Sequence, residues 1–218
     1  MLLSRLWKRR AEFFPTSVRI EEFLKAAPEL LVHHVLEVQL EYREMTGADP
    51  NVRIAGFLDR DARLIVIATQ FRREWQRFTL AHEIGHWMLH TGRSHFRERQ
   101  VPGTDFHDRQ RPQAEVEADL FAAELLMPQK TLRAAFAVRF GDPTDVGPCM
   151  VELAENLSMG LRRPIDPDSL SLMKPSQRAA LIAQAPYFRG VHFKSLASHF
   201  DVSATAMGIQ LFETGLVR

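Results

Sequence analysis

The alternation of hydrophobic and polar residues in this chain changes its period between residues 51 and 68. Two short apolar runs, at residues 54–58 and 64–68, flank Asp59-Arg60-Asp61-Ala62, which has the composition of a turn. The second run is rich in β-branched residues, which fit the pleated surface of a strand. The pattern therefore predicts an antiparallel hairpin in an otherwise helical chain.

Helical spacing predominates on either side of the hairpin. Residues 1–16 mix apolar and basic side chains and predict a helix that packs on the domain. Ser17 is a candidate N-cap for a helix that runs to Ala26, and Pro28 fits the first turn of a second helix that runs to about Met45. Further helices are predicted at residues 77–90, 114–127, 130–140, 150–157 and 177–185, and as a short pair joined by Asp201-Val202-Ser203 within residues 193–218.

Two stretches lack a helical or strand period. Residues 92–113 are polar and predict a long loop, which either serves the function or is a solvated surface excursion. Residues 141–148 contain two Pro and two Gly and predict a boundary. We therefore expect a domain at residues 1–140 and a helical C-terminal region at residues 141–218, which ends in a helix-turn-helix-like pair.

Composition narrows the class of protein. With a formal net charge of +1, the chain has no overall charge that would attract a nucleic acid or a membrane. Its one cysteine, Cys149, excludes a disulfide framework and a thiolate zinc site, and we expect it to be a small buried hydrophobe. Neither a signal peptide nor an apolar run of about 18 residues is found, so we expect a soluble cytoplasmic protein.

The clearest chemical motif lies in the helix predicted at residues 77–90. His82 and His86 are four positions apart, so their imidazoles lie on one face of a helix, where both can bind a single zinc ion. Glu83 is then placed to accept a proton from a water that the metal activates. The alternative is a core helix with two hydrogen-bonded histidines. His90, one turn further, is interpreted as a half-buried histidine at the helix end, and the alternatives are contact with a ligating histidine or proton donation.

A third ligand is expected from the helix predicted at residues 114–127, because Gly92 occupies the position of the third histidine that extends some HExxH motifs. Glu115 lies on the small apolar face of that helix, and we predict it as the ligand. Glu117 points to a different side of the helix and is the alternative. Asp119, one turn beyond Glu115, is predicted to hydrogen-bond the outer nitrogen of a ligating histidine.

Three blocks of the sequence together resemble the ImmA/IrrE family of zinc metallo-endopeptidases. They are residues 77–86 (RFTLAHEIGH) with Leu89-His90, residues 115–128 (EVEADLFAAELLMP) and residues 196–207 (LASHFDVSATAM). The resemblance implies a gluzincin-like α+β domain, mainly helical, with a small antiparallel sheet and an HExxH active-site helix. It also implies that His82, His86 and a glutamate of the second block are zinc (Zn2+) ligands and that Glu83 is the catalytic base.

The resemblance further implies that the substrates are helix-turn-helix (XRE-type) transcriptional repressors of a prophage, a mobile element or a stress regulon. The expected reaction is hydrolysis of a peptide bond, with an extended substrate segment paired to the free edge of the strand at residues 64–68. The alternative is a non-catalytic regulator that binds a repressor or DNA. DNA binding is not expected, because residues 203–214 of the last helix include no Lys or Arg to hold phosphate.

Overall fold

The computed structural model describes residues 8, 10–12, 20–45, 53–91, 96–100, 112–141 and 150–217. The chain forms two units, Met1–Leu126 and Met127–Arg218. The helix at Gln129–Phe140 belongs to the second unit, where Arg139 donates a hydrogen bond to the carbonyl of Lys194. The sequence places this helix in the first domain. Most of the predicted N-terminal helix, of the loop at 92–113 and of the boundary at 141–148 lies outside the described residues.

A mixed sheet forms the β part of the first unit. Its strands are β1 (Gln39–Arg43), β2 (Arg53–Asp59), β3 (Leu64–Ala68) and β4 (Phe96–Gln100), in the order β1-β3-β2-β4. The predicted antiparallel hairpin is confirmed as β2 and β3, with Phe57 opposite Val66. β4 pairs with β2 in antiparallel direction, whereas β1 pairs with β3 in parallel direction. The α+β class is confirmed, but the sheet is mixed and not purely antiparallel.

Three predictions about this region are wrong. Residues 39–43 are a strand and not the end of a helix, because Glu37 has a φ of 53°, which ends the helical backbone, and β3 offers an edge for pairing. The edge of β3 is not free for a substrate, because β1 and β2 pair with its two sides. The polar stretch after residue 91 is not loop throughout, because it includes β4.

One helix, α1 (Ile20–Leu31), takes the place of the two helices predicted at residues 17–26 and 28–45. It contains Pro28 in its interior and continues into a π-helical turn, Val32–Leu36. Phe23, on one side of the proline, and Leu31, on the other, are both buried in the core. The predicted break at Pro28 is therefore wrong, since burial of this apolar face outweighs the loss of one backbone hydrogen bond.

Two helices of the first unit carry the candidate site. They are α2 (Arg73–Leu89), which follows β3, and α3 (Gln113–Leu126). Both are predicted from the sequence within one to four residues at each end. Every residue of α2 from 79 to 86 is buried, so the histidine motif lies inside the protein and not on an amphipathic surface.

The second unit is helical in its described part. Its helices are α4 (Gln129–Phe140), α5 (Met150–Leu161), α6 (Pro167–Leu172), α7 (Pro175–Gln184), α8 (Leu196–Phe200) and α9 (Ala204–Glu213). A short ribbon of β5 (Tyr187–Phe188) and β6 (Val191–His192), like α6, is not predicted from the sequence. The predicted pair α8 and α9 is confirmed, and the Ser203 side chain accepts a hydrogen bond from the amide of Ala206 as the N-cap of α9. None of the described helices combines the length and the apolar character that a membrane crossing requires.

Candidate metal centre

α2 presents two imidazoles on one buried face. The rings of His82 and His86 have their centroids 4.5 Å apart and their Nε2 atoms 2.9 Å apart. Both side chains are fully buried. The two Nε2 atoms therefore face a common point beside the helix.

A close crossing with α3 brings a carboxylate to the same point. A Cβ atom at Gly85 would lie 3.1 Å from both the Cα and the carbonyl oxygen of Ala118, so the absence of a side chain at this position permits the approach. One turn before Ala118, Glu115 places Oε2 3.4 Å from Nε2 of His82 and Oε1 3.3 Å from Nε2 of His86. Within the described part of the chain, these three side chains are the group of His, Cys, Asp or Glu that could hold a metal ion.

The outer nitrogens of both imidazoles also have partners. Oδ1 of Asp119 lies 2.8 Å from Nδ1 of His82, which agrees with the contact predicted for this aspartate. Nδ1 of His86 lies 3.0 Å from Nδ1 of His90, and Nε2 of His90 lies 3.1 Å from Oε2 of Glu117. Each outer nitrogen is therefore connected to a carboxylate of α3, in one case directly and in the other through a histidine.

The contact of His86 with His90 corresponds to the alternative that the sequence left for His90 and did not favour. The signal for this contact is the spacing, because His90, directly after the last residue of α2, follows His86 by four positions, as His86 follows His82. The structure also separates the two glutamates that the sequence left as alternatives. Glu115 lies against the two facing Nε2 atoms, and Glu117 lies against His90.

The protonation states of these groups suit a metal site. Burial raises the pKa of Glu115, but the neighbouring imidazoles of His82 and His86 outweigh burial and hold the pKa well below that of a free glutamate. Burial lowers the pKa of His86, against the opposing effect of Glu115. At neutral pH the carboxylate is therefore ionised and this imidazole is neutral, and these are the forms that bind a cation.

The donor set also fits zinc in chemistry and in size. Two imidazole nitrogens and one carboxylate are a common ligand set of catalytic zinc sites, which leave a fourth position for water or substrate. Ligand atoms at about 2.1 Å from a tetrahedral ion lie about 3.4 Å from one another. The separations measured here are 2.9 Å, 3.3 Å and 3.4 Å.

Glu83 lies where α2 faces the sheet. Its side chain is fully buried, and a Cβ atom built on Gly56 of β2 would lie 3.2 Å from its Oε1 atom. Removing a carboxylate from water is costly, and buried carboxylates are therefore concentrated at sites that use them in chemistry. The burial of Glu83 makes it a candidate functional group.

The turn of the hairpin holds the C-terminal end of α2. Nη2 of Arg60 donates to the carbonyl oxygens of His86, at 2.6 Å, and Trp87, at 2.9 Å, and also to that of His90. The guanidinium lies 5.0 Å from the centroid of the Trp87 ring. The last carbonyls of a helix have no intrahelical donor, so a cation at this position is favoured by hydrogen bonding and by the helix dipole.

The fold and the cluster define a class of protein, in which an α+β unit buries an HExxH helix beside a helix that presents a glutamate. The sequence profile described as the IrrE N-terminal-like domain, of the Peptidase M78 family, matches residues 37–161, more than half of the chain. The chain belongs to this family, which confirms the resemblance given by its sequence blocks. The match includes the sheet, α2 and α3. A comparison with curated proteins found no match.

Proposed function

We propose that this chain is a zinc-dependent, gluzincin-like endopeptidase that hydrolyses a peptide bond in a helix-turn-helix (XRE-type) transcriptional repressor. The observation that carries the proposal is the convergence of His82, His86 and Glu115 in a chain that belongs to a peptidase family. The substrate class is supported by the resemblance of the three sequence blocks to the ImmA/IrrE family.

In this proposal His82, His86 and Glu115 hold the ion. Zinc, when bound, supplies a Lewis acid that polarises the scissile carbonyl and lowers the pKa of a water molecule. The hydrogen bond of Nδ1 of His82 to Asp119 keeps the proton on Nδ1, so the Nε2 lone pair is available to the metal. Asp119 is thus a positioning residue.

Glu83 is the general base and then the general acid. It accepts a proton from water as the oxygen attacks the carbonyl carbon, and it returns that proton to the amide nitrogen as the carbon–nitrogen bond breaks. The products are a carboxylic acid and an amine, which at neutral pH are present as a carboxylate and an ammonium group. Because Glu83 is fully buried, its carboxylate is kept away from bulk water. Solvent molecules therefore do not compete with the reacting water for hydrogen bonds to this carboxylate.

Metal analysis and peptide sequencing on the same set of variants test this proposal. Purified wild-type protein is expected to contain bound zinc, and His82→Ala and Glu115→Ala are expected to lose it, whereas Glu117→Ala still binds zinc with an affinity within about 10-fold of the wild type. Each protein is then incubated with purified XRE-type repressors and with a proteome-derived peptide library, and new N-termini are identified by mass spectrometry. Wild-type protein is expected to produce them.

Glu83→Gln is the matched variant for catalysis, because it preserves the size of the side chain but removes the base. It is expected to bind zinc as the wild type does and to cleave at least about 1,000-fold more slowly. Full cleavage by this variant would contradict the proposal. A wild-type protein that binds both zinc and a repressor without producing fragments would instead be a non-catalytic regulator.

A further inference from the structure

We propose that His90 and Glu117 form a relay that positions His86 for metal binding, as Asp119 positions His82. This inference rests on the proposed function, because it takes Nε2 of His86 as a metal ligand. It gives Glu117 a defined role outside the ligand set.

The positions of the protons follow from the contacts. Nε2 of His86 faces Nε2 of His82 and Oε1 of Glu115, so the nitrogen that binds a cation there carries no proton. The proton of a neutral His86 ring is then on Nδ1, which donates to Nδ1 of His90 at 3.0 Å. Nδ1 of His90 must therefore accept, and its ring proton lies on Nε2.

Glu117 completes this assignment. Nε2 of His90 lies 3.1 Å from Oε2 of Glu117, so the remaining ring proton points at a carboxylate. An ionised carboxylate has no proton to donate and serves as an acceptor only. Gln113 donates to the other carboxylate oxygen of Glu117 at 3.0 Å, which fixes the orientation of the group. Each donor in the series from His86 to Glu117 thus meets an acceptor, and one tautomer of each ring satisfies all the contacts.

The two imidazoles differ in how they reach a carboxylate because of the geometry of α3. Asp119 is one turn beyond Glu115, on the same side of α3, and contacts His82 directly. Glu117 is two positions from Glu115 and therefore points to another side, from which it reaches His86 only through His90. The side chains of His86, His90 and Glu117 are 0%, 15% and 43% exposed, so the relay extends from the buried site towards solvent.

Two pairs of variants test the relay in the full chain. His90→Phe removes the acceptor for Nδ1 of His86 but keeps a ring, whereas in His90→Asn the side-chain amide oxygen can take the position of Nδ1 and accept the same hydrogen bond. Glu117→Ala removes the last acceptor, whereas Glu117→Gln keeps an amide oxygen that can accept from His90. In each pair the second variant is the control for the first.

The readouts are zinc affinity, measured by competition with a chromophoric chelator, and the visible absorption spectrum of the Co2+-loaded protein, which reports ligand geometry. Loss of a hydrogen-bond partner of a ligating histidine lowers metal affinity by roughly 10–100-fold. We expect zinc affinity to fall by roughly 10–100-fold in His90→Phe and by about 10-fold in Glu117→Ala. The Co2+ spectrum should change in both variants. His90→Asn and Glu117→Gln are expected to stay within about three-fold of the wild type.

The outcomes separate the relay from the proposed function. If wild-type protein binds zinc no better than His82→Ala, the proposed function fails. If the wild type binds zinc and all four variants bind equally well, the relay is wrong and the metal site stands. If His90→Asn loses as much affinity as His90→Phe, the role of His90 is packing of its ring and not acceptance of a hydrogen bond, which also overturns the relay.

Discussion

Two helix crossings in this protein each bring a glycine against an alanine of the facing helix, and they bury different chemistry. In the first unit, a Cβ atom at Gly85 of α2 would lie 3.1 Å from the Cα of Ala118 in α3. In the second unit, a Cβ atom at Gly208 of α9 would lie 2.6 Å from the backbone nitrogen of Ala180 in α7. Around the first crossing the buried residues include His82, His86 and Asp119, and around the second they include Ala179, Ile182, Met207 and Leu211.

The difference shows what each close approach does. Two buried polar residues of the second unit serve the local backbone: Ser195 is the N-cap of α8, and the side-chain oxygen of Asn156 accepts from the amide of Arg189. Those of the first crossing contact one another. A group of ionisable side chains without such a backbone role is costly to bury. At the first crossing, ionisable side chains of the candidate metal centre therefore replace apolar packing, whereas apolar packing at the second crossing stabilises the fold.

Removing the metal should have the largest effect on this comparison. Zinc at about 1,000 times its Kd stabilises a folded protein by about 4 kcal/mol, which corresponds to about 1,000-fold slower exchange of the amides it protects. We expect hydrogen exchange in α2 and α3 to slow by up to this factor on addition of zinc and to recover with chelator, while α7 and α9 do not respond. In His82→Ala none of the helices should respond. Equal protection of both crossings would contradict the comparison.

Substitution of each crossing glycine by alanine should have the next largest effect. Added side chains at such contacts cost about 1–3 kcal/mol, partly offset by about 1 kcal/mol from the better helix propensity of alanine. Gly85→Ala should separate α3 from α2, move Glu115 away from His82 and His86, and lower zinc affinity. Gly208→Ala should reduce stability and leave zinc affinity unchanged. Urea unfolding and chelator competition measure the two effects, and wild-type zinc affinity in Gly85→Ala would show that this crossing does not position Glu115.

The smallest effect concerns the exposed carboxylate of Glu152 in the second unit. In the second unit, exposed Glu152 accepts hydrogen bonds from Nε and Nη2 of Arg189 at 2.7 Å and 3.2 Å, which lower the pKa of Glu152 below its usual 4.5. The folded state thus favours the charged form, so the pair stabilises the protein above pH 4.5 and loses that effect as the pH falls below it.

A double-mutant cycle of Glu152→Gln and Arg189→Met, followed by urea unfolding at pH 7 and pH 3, measures this pair. The coupling should be small at the higher pH, because both side chains are close to half exposed, and weaker at the lower pH. Zinc affinity should be unchanged in all three variants. Coupling that grows as the pH falls would contradict the sign of the pKa shift.

Elements with a local signal were predictable from the sequence. The turn composition at Asp59-Arg60-Asp61-Ala62 and the spacing of His82 and His86 depend on neighbours in the chain, and the hairpin and α2 form where they are predicted. β1 was not predictable, because residues 39–43 become a strand through pairing with β3, far along the chain. The choice between Glu115 and Glu117 depends on the rotation of α3 against α2, which the contact of Gly85 with Ala118 sets.

The hydrogen bonds of Arg60 to the carbonyls at the end of α2 restrict rotation of this helix. Successive carbonyls of an α-helix lie about 100° apart around its axis, so rotation of α2 about that axis would move these carbonyls away from the guanidinium. The hydrogen bonds from the hairpin turn therefore fix the rotation of α2 about its axis, and with it the direction in which both imidazoles point.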